Sequence, residues 1–273
     1  MGLQPVPGSP AATADLDGER ALVVADYHAG IEWALAVERG VEVDSRAKDR
    51  RASLCSLVDR TDPDRLVILG DLMHSIGDPG GREREEVEAL LDALGELPVT
   101  LVKGNHDGAI EDWLPDLDVT SSEGVRMGEF GFAHGHTWPS SAVLGASVVC
   151  VGHEHPQVRL EDSVGGQRVE RVWLRGPADM APFARRDPDL SWLDHADRPG
   201  PDSDAIVSDR SNHAEFAWSD PELVVVPAFN ELAGGTWINV EGQSFLAPFL
   251  PAAIPDGEAF LLDGTRLGPY ESV

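Results

Sequence analysis

Five short apolar runs, each ending abruptly in polar residues, organise the chain between Leu22 and His155. Leu22–Ala25 leads into Asp26, and Leu66–Leu69 into Gly70 and Asp71. Val99–Val102 leads into Lys103, Gly104 and Asn105, Phe130–Ala133 into His134, and Val148–Val151 into Gly152 and His153. Short runs of aliphatic and aromatic residues closed by turn formers read as buried strands. Asp44–Arg60 carries Leu54, Leu57 and Val58 on one face, which predicts a helix capped by Asp44 or Ser45. Glu83–Leu97, with Val87, Leu90, Leu91 and Leu94 apolar, predicts a second helix. Alternation of strand and helix indicates an α/β fold. The polar residues fall at strand C-terminal ends, where open α/β sheets bind ligands.

Outside this stretch, Ala11–Leu16 and Arg20–Ala25 flank Asp17-Gly18, a hairpin signal. Gln157–Leu160, Gln167–Leu174, Leu223–Pro227, Thr236–Val240 and Ala259–Asp263 are further strand candidates for a second, more antiparallel sheet. Ala181–Asp220 is rich in Asp, Pro and Ser and reads as a surface loop or a partly disordered insertion. The expected organisation is an N-terminal extension and edge hairpin over residues 1–20. One domain over 21–273 follows, with the acidic insertion at about 181–220 and no internal repeat.

Charge changes the picture. Lys and Arg number 21 against 48 Asp and Glu, a formal net charge of −27, and only Lys48 and Lys103 are lysines. At ordinary ionic strength that balance opposes polyanionic partners. In ~1 M salt the Debye length is only ~3 Å, and an acidic, lysine-poor surface is then tolerable. Halophilic origin is therefore expected, and net charge then says little about partners. The 273 residues contain no apolar run of the ~18–20 residues that span a bilayer. The first twenty residues lack a basic and apolar leader pattern. Cys55 and Cys150 are too few for a disulfide framework, and Cys150 reads as a core thiol. A cytoplasmic, non-membrane protein is expected.

Seven of nine histidines stand beside the strand ends: His28, His74, His106, His134, His136, His153 and His155. They interleave with Asp26, Asp71, Asn105 and Asp107. Mixed imidazole and carboxylate donors suit borderline divalent metals such as Mn, Fe, Co, Ni or Zn. Arg46, Arg50 and Arg51 share one predicted helix, either as phosphate contacts or as a solvated face. Tyr27 and Glu154 are expected at the pocket mouth, and Pro227, Phe229 and Asn230 in packing or a turn.

The ordered set Asp26-Tyr27-His28, Gly70-Asp71, Gly104-Asn105-His106-Asp107, His134-Gly135-His136 and Gly152-His153-Glu154-His155 resembles the calcineurin-like metallophosphoesterase superfamily. Phrases such as ALVVADYHAG, LVKGNHDG and LVVVPAFN are similar to archaeal SbcD-related and bacterial ligase-associated phosphoesterases. The resemblance implies a single-domain α/β/β/α sandwich of two sheets and metal-dependent phosphoester hydrolysis, with phosphodiesters as the expected substrate. It implies two divalent ions, Mn2+ by family habit. Asp26, His28, Asp71 and His155 would hold one, and Asp71, Asn105, His134 and His153 the other, with Asp71 shared. His136 is either a substrate contact or an alternative ligand to His134. His106 is the expected non-ligand catalytic histidine, and Asp107 either contacts it or caps the next turn. His74 stands where the family often has an Asp that orients that histidine. The substrate would be DNA, RNA or a nucleotide, with helicase or ligase association implied by the relatives. A phosphomonoesterase and an interaction scaffold without turnover are the competing readings.

Overall fold

In the computed structural model, residues 2–186 and 218–273 are described, apart from positions 78, 109 and 163. The apolar runs form strands because their alternate side chains all find apolar partners. The first sheet has the order β1 (Gln4–Pro5), β2 (Ala11–Leu16), β3 (Glu19–Val24), β4 (Arg65–Ile68), β5 (Val99–Val102) and β6 (Asp118–Thr120). Strands β3 to β6 are parallel, and β2 joins β3 by a hairpin in which Asp17 and Gly18 take φ of 59° and 101°. The second sheet holds β7 (Val125–Met127), β8 (Phe130–Ala133), β9 (Val148–Val151), β11 (Gln167–Pro177), β12 (Glu222–Val225), β13 (Glu258–Leu261) and β14 (Arg266–Pro269). Strand β10 (Gln157–Glu161) pairs with β11. Here β8, β9 and β12 run parallel and the remaining pairs are antiparallel.

Ala21, Val23, Val67 and Leu69 of the first sheet meet Phe130, Phe132, Cys150, Trp173 and Val224 of the second. The alternate residues Leu22, Val24, Leu66 and Ile68 point outward, against Leu54, Leu57, Val87 and Leu90. Those four belong to α2 (Ala47–Thr61) and α3 (Gly81–Leu94), and the short α4 (Ile110–Trp113) adds Ile110 to the same layer. On the far face of the second sheet, Val149, Val151, Leu174 and Val225 pack under α5 (Ser141–Leu144), α6 (Ala181–Arg186) and Phe249. The result is a single-domain α/β/β/α sandwich of two sheets. Among the described residues no helix is long and apolar enough to cross a membrane.

Several expectations need correction. Helix α2 begins at Ala47, not Asp44, and neither Asp44 nor Ser45 is its cap; the Arg46 N–H is held instead by Glu32 Oε1 at 3.0 Å. Helix α3 ends at Leu94, where Gly95 turns to φ 63°. Helix α1 (Ile31–Arg39) has no counterpart in the apolar pattern, because it buries Glu32 and exposes Trp33 and Val37. Thr236–Val240 forms no strand beyond one bridge, Gln157 to Trp237. There the Asn239 side chain takes over the ladder, accepting from Arg159 N at 3.0 Å and donating to Arg159 O at 2.9 Å. The acidic insertion lies outside the described residues over 187–217. Its first residues form α6, which buries Phe183 against Trp138 and Phe249.

The helices are also joined by charge. Arg50 is buried, bonded to Glu32 at 3.0 Å and to Glu86 at 2.6 Å, so it is no phosphate contact and no solvated face. Glu86 Oε2 in turn accepts from Gly30 N at 2.8 Å, where α1 leaves the first motif loop. Removing the cation would leave two buried carboxylates facing each other. Arg50→Met is expected to lower stability by about 3–5 kcal/mol, read as a shift in the urea midpoint at unchanged slope. A shift below about 1 kcal/mol would show that the network contributes little.

Candidate functional site

All five motif strands, three from the first sheet and two from the second, run toward the same edge of the sandwich. Their C-terminal loops therefore converge there. The loops turn sharply: Asp26, His28, Asp71, His153 and His155 have φ of 56°, 49°, 50°, 65° and 45°. Left-handed backbone at non-glycine residues costs of order 1–3 kcal/mol each and concentrates at functional sites. Two glycines permit the close approach. A Cβ at Gly70 would overlap the His134 ring, and one at Gly104 would overlap the Asp71 carboxylate.

Asp26 and Asp71 are buried at the centre. Asp26 Oδ1 lies 3.2 Å from His155 Nε2 and 3.7 Å from His134 Nδ1. Asp71 Oδ1 lies 3.3 Å from His134 Nε2, and Oδ2 lies 3.9 Å from His28 Nε2 and 3.6 Å from His106 Nε2. Asn105 Oδ1 is 3.1 Å from His134 Nε2, and the Nε2 atoms of His28 and His155 are 3.4 Å apart. Each of the sets Asp26-His28-His155, Asp71-His134-His153 and His28-His74-His106 has its donor atoms within 4.8 Å of one another. His136 lies beside them, its ring 5.2 Å from His134 and 6.0 Å from His153, with Nδ1 buried and unpartnered.

Backbone carbonyls fix how three imidazoles face. Nδ1 of His134 donates to Leu69 O at 2.7 Å, Nδ1 of His155 to Gly234 O at 2.5 Å, and Nδ1 of His106 to His74 O. A carbonyl only accepts, so each Nδ1 carries the proton and each Nε2 points into the site. His106 is therefore oriented by the His74 main chain, while the His74 ring lies 3.3 Å from His28 Nδ1.

The loops themselves are held by buried acceptors. Asp107 does not contact His106; its Oδ2 takes Asp71 N at 2.8 Å and Gly104 N at 2.9 Å, and its Oδ1 takes Leu72 N at 3.0 Å. Glu83 on α3 accepts from His74 N at 3.0 Å and Ser75 N at 2.7 Å. Asn230 donates to the carbonyls of Tyr27 at 3.0 Å and His28 at 3.1 Å. Sequence reading assigned no such role to Glu83 or Asn230; the PAFN phrase was the available signal for the second. Tyr27 and Glu154 are not at a pocket mouth. Tyr27 is buried on Phe229, and Glu154 is buried, binding Leu246 N and Ala247 N at 3.0 Å.

The electrostatics fit cations. Burial disfavours ionised Asp71, but His134 and His28 outweigh it and hold its carboxyl below the usual range. Asp26 is likewise held low against burial, chiefly by His155. Burial works against a charged His134 too, yet Asp71 and Asp26 push its pKa up to about 9. His155 is raised by Asp26, again against burial. His28, pushed down to about 3 by burial, and His153, pushed down to about 4 by burial and His134, are neutral. Two buried carboxylates, neutral imidazoles and an amide oxygen within coordinating reach are a donor set for borderline divalent ions.

Fold and site together define an α/β sandwich with a metal centre of Asp and His donors at its strand ends. The model of the calcineurin-like phosphoesterase family matches residues 19–225, and the chain belongs to that family. Membership implies hydrolysis of phosphoester bonds and a centre of two divalent ions. Among solved structures it is similar to Pseudomonas putida nuclease MPE, at 21% identity and a TM-score of 0.54, over 97% of this chain and 100% of that one. It also matches Yfce, a phosphoesterase from E. coli, at 22% identity and a TM-score of 0.34, over 52% of this chain and 74% of that one. No curated protein sequence matches.

Two outcomes follow. His134 at about 9, and His155 raised in the same direction, hold protons more tightly than a free imidazole, so protons and metal compete and affinity falls as pH is lowered. Calorimetric titration with Mn2+ in buffers of different ionisation enthalpy should show proton release that grows toward low pH; a buffer-independent enthalpy would contradict this. Asp107→Asn turns an amide NH2 toward backbone N–H donors. It should weaken Mn2+ binding about 10–100-fold in a folded protein, measured by the same titration.

Proposed function

We propose that the chain hydrolyses phosphodiesters of a nucleic acid or nucleotide, with Mn2+ as the first candidate metal and Fe, Zn, Ni or Co as alternatives. Asp26, His28, Asp71 and His155 would hold one ion, and Asp71, Asn105, His134 and His153 the other. Two such ions would polarise the phosphoryl oxygens and lower the pKa of an attacking water. Asp26 and Asp71 offset only part of their charge, which leaves the site attractive to an anionic ester.

His106 carries the reading. With Nδ1–H on the His74 carbonyl, Nε2 is the ring atom free to exchange a proton, beside Asp71 and with the side chain 19% exposed. Once protonated there, the imidazole can donate to the leaving oxygen while the His74 carbonyl keeps the ring in place. His136, with its free Nδ1 on the opposite flank, is suited to a non-bridging oxygen.

The charge on the ester favours a diester. Basic side chains close to the motifs in sequence are engaged elsewhere: Lys103 with Glu111 at 2.5 Å, and Arg50 with Glu32 and Glu86. A monoester brings a second negative charge that those cations are not free to meet. With Mn2+ in molar KCl, bis-p-nitrophenyl phosphate should be turned over faster than p-nitrophenyl phosphate, and Asp71→Asn should abolish both. Faster monoester turnover would make the protein a phosphatase. Near-normal turnover by the Asp71 variant would sink the mechanism. A folded wild-type chain inert with every divalent ion would favour a scaffold.

A further inference from the structure

Beside the first motif loop lies a cavity of about 620 Å³ lined by Arg46, Arg50, Arg60 and Arg171. The chain has only 21 basic residues against 48 acidic ones, yet this cavity is lined by four arginines and two carboxylates, Asp49 and Glu231, a local excess of cations. Its floor is α2. Arg46 at one end and Arg60 at the other are fourteen residues apart, about 21 Å at the helical rise, with the small residues Ser53 and Ser56 between them. The opposite wall comes from the other sheet, through Arg171 of β11 and residues 229–231.

The four guanidinium groups are not alike. Arg50 is committed to Glu32 and Glu86, and Arg46 pairs with the exposed Glu231 at the rim. Arg60 is exposed and no ion pair holds it among the described residues. Arg171 is half-buried; its Nη1 donates to Ala228 O at 2.9 Å and Phe229 O at 3.1 Å, and among the described residues no carboxylate lies within ion-pair distance of it. A half-buried guanidinium bonded to two carbonyls, with Glu231 and Glu170 acting on it only from beyond ion-pair distance, keeps N–H groups that suit a phosphate's oxygens. The cavity also adjoins the metal centre. Asn230 lines it while holding the carbonyls of Tyr27 and His28, between the ligand candidates Asp26 and His28.

We propose that this groove is a second phosphate subsite, which takes a phosphate of the same polynucleotide lying beyond the ester that is cut. The inference rests on the phosphodiesterase reading and deepens it, since it makes the substrate an oligonucleotide with Arg60 and Arg171 as its remote contacts.

The test separates the two readings. The full chain in EDTA, where the metal centre is inactive, is titrated against a 5′-labelled single-stranded 12-mer by fluorescence anisotropy over 50–500 mM KCl. Arg60→Gln and Arg171→Gln should each weaken binding about fivefold or more. Each should also make the salt dependence shallower by about 0.7 in log–log slope, the share of one single-strand phosphate contact. Arg60→Gln changes an exposed side chain, so it stays informative if Arg171→Gln perturbs the fold. Wild-type affinity and slope in Arg60→Gln, or no binding of the 12-mer by the wild-type chain at 50 mM KCl, would overturn the subsite. So would displacement of the 12-mer by inorganic phosphate at concentrations that displace a dinucleotide equally well, which marks a site for the free anion. Turnover of bis-p-nitrophenyl phosphate with Mn2+ is read separately. Its absence would count against hydrolysis and leave the binding result standing.

Discussion

Strained loops have to be held, and buried side-chain acceptors hold them here. Five of the residues around the centre lie in the left-handed region. Such backbone persists only where its surroundings over-determine it. Asp107 gathers the N–H groups of Gly104, Asp71 and Leu72, so one carboxylate joins two motif loops from different strands. Glu83 and Glu86 project from a single helix, one to the His74 loop and the other to Gly30. Each acceptor satisfies main-chain donors that the sheet ladders have abandoned. Each would be a costly buried charge without them.

The same arrangement explains why the centre is acidic and histidine-rich without collapsing on itself. Asp26 and Asp71 face His155 and His134 and raise the pKa of both imidazoles, so carboxylates and imidazoles stabilise one another's charged forms. Carbonyls of Leu69, Gly234 and His74 hold the outer nitrogens and leave each Nε2 directed inward. Preorganisation of this kind places the reorganisation energy in folding rather than in ligand binding. The carboxylates are buried and the His106 edge is partly exposed, so the anions lie deep and the imidazole lies at the rim.

The apolar runs at 22–25, 66–69, 99–102, 130–133 and 148–151 made the motif strands legible, because parallel strands buried on both faces read as continuous hydrophobic stretches. What the pattern could not show was determined by polar contacts between distant residues. Helix α1 escaped notice because Glu32 is buried against Arg50 and Trp33 is exposed on Arg82, the reverse of an amphipathic face. Thr236–Val240 has strand-like residues, but Asn239 supplies the pairing with its side chain. The donor candidates stood together as strand-end residues in sequence. Asp107, Glu83, Asn230 and Glu154 differ: apart from the Thr236 hydroxyl on Glu154, their hydrogen-bond partners are backbone N–H and C=O groups, which leave no trace in residue type. For Asp107 the expected roles were contact with His106 or a cap on the next turn, and the geometry shows a third, a clamp on the N–H groups of two motif loops.

Charge distribution sets the last constraint. With a formal charge of −27, the molecule as a whole repels a polyanion at distances where its surface acts as a single field. Attraction has to come from contacts short enough to escape both that field and salt screening. Guanidinium groups meet this condition better than ammonium groups, because a planar fork makes two directed hydrogen bonds to one phosphate. Nineteen of the 21 Lys and Arg residues are arginines, and of the four that line the cavity next to the metal centre, Arg60 and Arg171 are the two not committed to a carboxylate among the described residues. For a polyanion bound in the proposed subsite, a net charge of −27 would discourage binding elsewhere on the surface, so the repulsion that weakens association would also restrict it to one place.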